Sequence, residues 1–405
     1  MPTAVTAQQA RTPTREPGGI AARFLLPLIA LATAVTAANI YLAAPLLPLI
    51  ARDFGSTPSA VAWVASVAQF GYAAGLLVFA PLGDTVNRRR LVAVLSLVTA
   101  AALVAGAMSA GTTALAAAVL IASAATVVPQ LLVPLVAQRA PADRRARHVA
   151  AVIAGLFTGI VAARVLGGLA GQAFGWRAVF VGAAVLTAAL GLLTAYALPV
   201  EHRAARTGSL FSGLAALPSV VRRSPDLWRA CVRQAGMYGA WSALWTSLAL
   251  LLTAEDATGY GLTTATAGLF GLFGLAASMV APLAGGFVDR FGAAKVVRSA
   301  YLLAAASVPL FWLGGHVLWA LFVAAIAVHA ALVASHVANQ TLALTTTSTP
   351  ATANTAYVVA GFAGGAIASA LAGSAFTHFG WGGVCAVAGV WLVLGWATTT
   401  TAVRR

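Results

Sequence analysis

The sequence predicts an all-α polytopic membrane protein: about twelve transmembrane helices in two six-helix bundles related by a pseudo-two-fold axis. Three observations predict it. The 405 residues are 60% hydrophobic and only 8% charged, against roughly 25% charged in soluble domains, so lipid must solvate most of the chain. Apolar runs of about 20 residues, long enough to cross a bilayer core, recur from end to end. Landmarks also repeat at one offset. Asp289 lies 205 positions after Asp84, and Phe174-Gly175-Trp176 returns 205 positions later as Phe379-Gly380-Trp381. Two unrelated landmarks at a common offset indicate a tandem duplication.

Taken in order, residues 1–22 are polar, carry Arg11 and Arg15 and lack a cleavable signal pattern, which reads as a disordered cytoplasmic tail. The first bundle, 23–199, holds spans at 23–50, 58–82, 91–110, 113–138, 148–173 and 177–199. The longest polar break, 200–227, is a cytoplasmic linker whose stretch Ser209–Val221 suits an amphipathic helix lying on the membrane. The second bundle, 228–400, holds spans at 228–254, 263–288, 294–314, 317–344, 352–377 and 381–400, and 401–405 form a short tail.

Net charge is +15. In a chain this apolar, such a value reflects basic cytoplasmic loops rather than a nucleic-acid partner. One side collects Arg88–Arg90, Arg139, Arg144, Arg145, Arg147, the linker, Arg290, Lys295, Arg298, Arg404 and Arg405. The other receives Arg52 and Arg177 with Asp53, Glu255 and Asp256. Positive loops stay inside, so both termini are expected in the cytoplasm of a bacterial cell, with the chain multi-pass in its inner (plasma) membrane. The two cysteines, Cys231 and Cys385, lie in apolar runs and suggest neither a disulfide framework nor a zinc site. No cofactor or metal is expected.

The loop Ala80-Pro81-Leu82-Gly83-Asp84-Thr85-Val86-Asn87-Arg88-Arg89-Arg90 joins the second and third spans. Asp84 closes one helix, Asn87 can turn the chain through left-handed geometry, and three arginines open the next helix. A weaker copy keeps Gly285, Asp289, Arg290 and Gly292. In the fifth span Gly155, Gly159, Ala163, Gly167 and Gly171 recur every four residues, with Gly168 beside them. Small residues at that spacing admit a neighbouring backbone, either as fixed packing or as a moving contact. A looser version, Gly361, Gly364, Gly365 and Gly373, occupies the eleventh span.

These residues resemble the major facilitator superfamily, and more narrowly its twelve-helix drug and metabolite efflux (drug:proton antiporter-like) branch. The loop is similar to the family signature G-x-x-x-D-R-x-G-R-R. Asp84 and Arg88–Arg90 match, while Ala80, Thr85 and Asn87 depart from it. The resemblance implies that this loop, with Gly83, Gly285, Asp289 and Arg290, gates the passage between inward-open and outward-open states through charge contacts between the bundles. The fifth span resembles the antiporter signature ending G-P-x-x-G-G, here Ala163-Arg164-Val165-Leu166-Gly167-Gly168, with arginine in place of proline. The arginine that the branch carries in its fourth helix is absent, and Gln130 is the one carboxamide there. The resemblance also implies that helices one, four, seven and ten line a central cavity.

Intramembrane polar residues fall largely on those helices: Asn39 and Tyr41, Gln130, Tyr238, then His329, His336, Asn339 and Gln340. Arg164 is the permanent charge near mid-membrane. Its cost of at least about 2.5–3.5 kcal/mol directs it to the protein interior or a wet cavity. Backbone carbonyls, Gln130, Gln69, Asn39 or Asp53 are its expected partners. It joins helices by hydrogen bonds, contacts an anionic or strongly polar substrate, or takes the role of the arginine missing from the fourth helix. Gln234, Tyr238, Trp241 and Trp245 share one face of the seventh span, as packing anchors or as a cavity wall that stacks flat or cationic drug-like compounds. His329, His336 and Gln340 share a face of the tenth, as interhelical hydrogen bonds or as a proton relay.

Together these features predict a secondary active transporter that exports a small organic compound (drug, metabolite or natural product) by proton antiport and alternating access. An uptake symporter or facilitator of a small polar or anionic metabolite is the alternative. No G-x-x-x-x-G-K-[ST] loop for ATP is present. A non-transporting receptor or a membrane enzyme is the remote reading, since no buried catalytic constellation is evident. Expected partners are the small-molecule substrate, a coupling proton and the bilayer, with the chain working as a monomer.

Overall fold

The computed structural model describes residues 22–139, 145–198, 210–255, 259–274, 280–345 and 350–399, and every regular element among them is helical. The expectations for both tails, for 200–209 of the linker, for Arg144 and for the side chain of Asp84 concern residues outside those described.

Ten described helices are long and apolar enough to cross a membrane. The last, Pro350–Trp396, holds two crossings. Gly380 has φ 61° and ψ −155°, values closed to most side chains. Gly364 abuts Ala235 while Gly395 abuts Gly236. In a straight helix those glycines would stand about 45 Å apart, so the chain reverses at Gly380. That makes eleven crossings. The eighth span is divided: Thr264–Leu269, a 3-10 turn at Phe270–Leu272, and Val280–Phe291 after residues outside the described set.

Two further spans are broken where the sequence suggested continuous helices. The first runs Ala22–Tyr41, then a 3-10 turn Ala44–Leu46 and a short helix Leu47–Asp53. Pro45 and Pro48 lack the N–H groups that would continue the ladder. The fourth divides into Thr112–Ala125 and Val128–Arg139, with Pro129 in the first turn of the second piece.

Asn87 does not use left-handed geometry. At φ −65° and ψ 111° it is extended, and its side chain caps the helix Arg88–Ala107. Its Oδ1 accepts from the N–H groups of Arg89 at 3.0 Å and Arg90 at 3.3 Å. A side-chain oxygen thus satisfies first-turn donors that would otherwise be orphaned. At the position 205 residues later Gly292 likewise precedes a helix, but through a different backbone geometry with φ 83°. The other repeat pair agrees more closely, with Gly175 at φ 83° and Gly380 at φ 61°.

Within each half, close packing rests on small residues. Gly155 and Gly159 of the helix Arg145–Phe174 lie on the backbone of Ala30 and Ala34. Gly71 and Gly75 in Trp63–Thr85 lie on Leu120 and Ala124. In the second half Pro225–Thr253 packs on both crossings of Pro350–Trp396. Without a hydrophobic drive between helices in lipid, such backbone approach is a main source of association. The halves meet through Gly168 against Thr264 and Gly268, and Ala62 against Gly373, with Tyr72 against Phe362 near the middle. The first two contacts lie toward the end opposite Arg88–Arg90.

The linker helix Leu210–Arg223 is present. Its Val220 and Val221 pack on a cluster of Leu227, Ala230, Cys231 and Tyr357, so its last turn docks on the second half.

Candidate functional site

Arg164 lies ten residues before the end of its helix at Phe174, about 15 Å along the axis, half-way through a core about 30 Å thick. It is 7% exposed. No carboxylate faces it among the described side chains. Instead its guanidinium carbon sits 4.6 Å from the Trp245 ring centroid, 5.0 Å from Trp241 and 5.4 Å from Tyr41. A cation within about 6 Å of an aromatic face is attracted by the ring quadrupole, and three faces here partly replace the water that the charge has lost. Of the partners expected for Arg164, Asn39, Gln130 and Asp53 bond to other groups, while Gln69 lines the same cavity. Asp53 pairs with Arg177 at the surface and accepts from Trp176 Nε1 at 3.2 Å. The Arg177 guanidinium holds the Asp53 carboxyl below its ordinary range.

The site is shared between the halves. Tyr41 and Tyr238 are joined by a hydroxyl–hydroxyl hydrogen bond. Gln69 Nε2 donates to Ser242 Oγ at 2.6 Å. Trp241 Nε1 donates to His329 Nε2 at 3.0 Å, and Trp245 packs edge-on against the same imidazole at 4.6 Å. Because indole N–H is only a donor, His329 Nε2 must be unprotonated. Its Nδ1, 3.0 Å from the Ala325 carbonyl, therefore carries the proton, and this arrangement holds His329 neutral.

His336 belongs to a separate network. Gln234 Nε2 donates to its Nδ1 at 3.2 Å, and Tyr357 Oη donates to Gln234 Oε1 at 2.6 Å. So Gln234 turns toward the tenth and eleventh spans, while Tyr238, Trp241 and Trp245 turn toward Arg164. Gln340 donates to Asn354 at 2.9 Å and Asn339 to Ser335 at 3.1 Å. The polar groups of the tenth span thus bond to different partners rather than forming one chain. Periodicity placed His329, His336 and Gln340 on a face without identifying the neighbour each would meet.

Asn39 is buried away from this cluster, donating to Thr187 at 3.0 Å and Thr126 at 3.4 Å, and so ties the first, fourth and sixth spans. Gln130 donates to Tyr72 at 3.3 Å. Among the loop residues Arg88 is buried. Arg89 bonds the Ala195 and Tyr196 carbonyls at 2.9 and 2.8 Å, where a cation complements the C-terminal end of the sixth helix. That contact stays within the first half. Asp289 and Arg290 are exposed, and Gly285 has open space beside it. Gly167 and Gly171 pack on Pro45 and Leu46, while Gly168 reaches the second half.

Around Arg164 the chain encloses a cavity of about 10 Å³, at most the room that one water needs. Three polar atoms on its wall are buried without a hydrogen-bond partner among the described residues: Arg164 Nη1, Trp245 Nε1 and Gln69 Oε1. Other buried atoms, Asn39 Oδ1 and Asn339 Oδ1 among them, also lack a partner among the described residues, and this wall stands out by gathering three on one cavity. Ser242 and Thr246 also line the wall. Neither was identified from the sequence, where isolated hydroxyls in an apolar run carry no signal, and Gln69 was named only as a partner for Arg164.

The family model described as Major Facilitator Superfamily matches residues 29–278. The chain is 81% identical over 403 residues, all of this chain and 93% of the relative, to the probable transporter SCO4007 of Streptomyces coelicolor. A chloramphenicol resistance protein of Streptomyces lividans is 34% identical over 71% of both chains. Among solved structures, that of the nucleoside transporter NupG superposes with a TM-score of 0.76 at 15% identity, over 93% of this chain and all of that one.

Proposed function

Since the chain belongs to the major facilitator superfamily, we propose that it is a secondary active transporter exporting a small organic compound in exchange for protons, by alternating access. One observation carries the reading. Tyr41, Gln69 and Arg164 of the first half meet Trp241, Ser242 and Trp245 of the second at mid-membrane depth around a space too small for any organic molecule, with Tyr238 hydrogen-bonded to Tyr41 and His329 to Trp241. A substrate reaches that place only when the halves part. The chloramphenicol resistance protein among its relatives supports export. His329 supports proton coupling. A proton on Nε2 would break the Trp241 bond and put a second cation near Arg164, both of them against the Trp241 and Trp245 rings. Basic loops support a cytoplasmic position for both termini, and residues 23–199 and 228–400 act as the two moving units of a monomer. Uptake of a small polar or anionic metabolite is the second reading, favoured by the uncompensated charge of Arg164.

Everted membrane vesicles separate the two. With respiration acidifying the lumen, an exported organic compound, anionic or neutral, should collapse part of the proton gradient, read by an acridine dye, in vesicles containing the chain and not in those without it. Accumulation that ignores an uncoupler would contradict antiport.

A further inference from the structure

Resting on that transport reading, we infer that the substrate is a small planar organic monoanion: its acidic group is taken by Arg164 and Trp245 Nε1, its ring lies among Tyr41, Trp241 and Trp245, and a hydroxyl or N–H on it donates to Gln69 Oε1.

The three orphaned atoms define the complement. Arg164 Nη1 and Trp245 Nε1 are donors, Gln69 Oε1 is an acceptor, and all three side chains are at least nine-tenths buried on one cavity. The ligand therefore brings acceptor oxygens for two N–H groups and one donor for the amide oxygen. Charge follows from the absence of a counter-ion. Of the acids with described side chains, Asp53 pairs with Arg177, Asp226 pairs with Arg229, and Glu255 and Asp289 are exposed. A carboxylate on Arg164 supplies the missing charge through a charge-assisted hydrogen bond. A cationic ligand would meet Arg164 in a medium of low dielectric, where like charges repel strongly. A dianion such as a phosphate monoester would need a second cation, and Arg164 is the one charged side chain on the cavity wall. Shape follows from the aromatic walls, whose faces favour offset or edge contacts with a flat ring.

The test uses the purified full chain in nanodiscs with four probes on one skeleton: 6-hydroxy-2-naphthoate, its carboxamide, its aminomethyl analogue, and 2-naphthoate. Binding is read from quenching of tryptophan fluorescence and from thermal shift. The carboxylate should bind at least tenfold more tightly than the amide, and the amine should not bind. Arg164→Gln should abolish the preference for the anion, while Arg164→Lys keeps it at lower affinity. Gln69→Leu should erase the preference for the hydroxylated over the plain naphthoate and leave the anion preference intact. Amide or amine binding as tight as the carboxylate, an anion preference that survives in Arg164→Gln, or no binding by any probe at millimolar concentration would overturn the assignment. Gradient collapse by neutral compounds in everted vesicles would sink this substrate class while leaving transport standing.

Discussion

Replacing Arg164 by methionine is expected to lower transport at least tenfold while leaving the melting temperature in detergent unchanged or raised. The two halves of that expectation have one cause. Arg164 is a cation at mid-membrane without a counter-ion among the described residues, and such a placement costs at least about 2.5–3.5 kcal/mol. Contacts with Tyr41, Trp241 and Trp245 return only part of it, about 2 kcal/mol for a desolvated cation–π arrangement. Methionine fills similar space with no charge to desolvate. Sites that sacrifice stability for activity respond in this way. Arg164→Lys separates charge from shape. An ammonium keeps the charge but not the flat fork that lies against rings and offers paired donors, so it should recover transport only in part. Wild-type transport in both variants would show that Arg164 is packing alone.

The second large effect concerns the fold. Gly159→Val should strip the chain from the membrane or drop its thermal midpoint sharply, because a Cβ there runs into the carbonyl of Ala34. Helix backbones cannot yield as a flexible side chain can, and overpacking of this kind costs about 1–3 kcal/mol or more. Gly182 provides the control. It is exposed, with open space around it, and Gly182→Ala should be neutral or slightly stabilising, since glycine inside a helix is less favourable than alanine by about 0.5–1 kcal/mol. Membrane abundance and melting of the two variants check the pair. Equal behaviour would mean that the first and fifth spans do not touch as described.

Much of this was legible in the sequence because lipid imposes strong rules. Spans follow from apolar length. The duplication follows from a constant offset, and the matching turns at Gly175 and Gly380 bear it out. The convergence of Arg164 with Tyr238, Trp241, Trp245 and His329 was partly legible, since each is an expensive or bulky group on a span. What failed was local or relational. Asn87 can turn a chain in two ways, and only the neighbouring amides decide that it caps instead. The breaks near Pro45 and Pro129 were hidden inside uninterrupted apolar runs. Asn39 and His336 look as exceptional as His329 in sequence, yet one is absorbed by two threonines and the other by Gln234 and Tyr357. Which helix faces which is set by packing, and periodicity carries no record of it.

The central claim is that the halves must separate at the end opposite Arg88–Arg90 for substrate to pass. Ala62 and Gly373 offer a direct test. A Cβ built on Gly373 would stand 3.2 Å from the Ala62 Cβ, close to the roughly 3.5–4.5 Å of a disulfide. Cysteines at both positions, in a chain with Cys231 and Cys385 replaced by alanine, should cross-link under mild oxidation and stop transport, and a reductant should restore it. Transport that continues at the reduced rate through fully cross-linked protein would contradict the account.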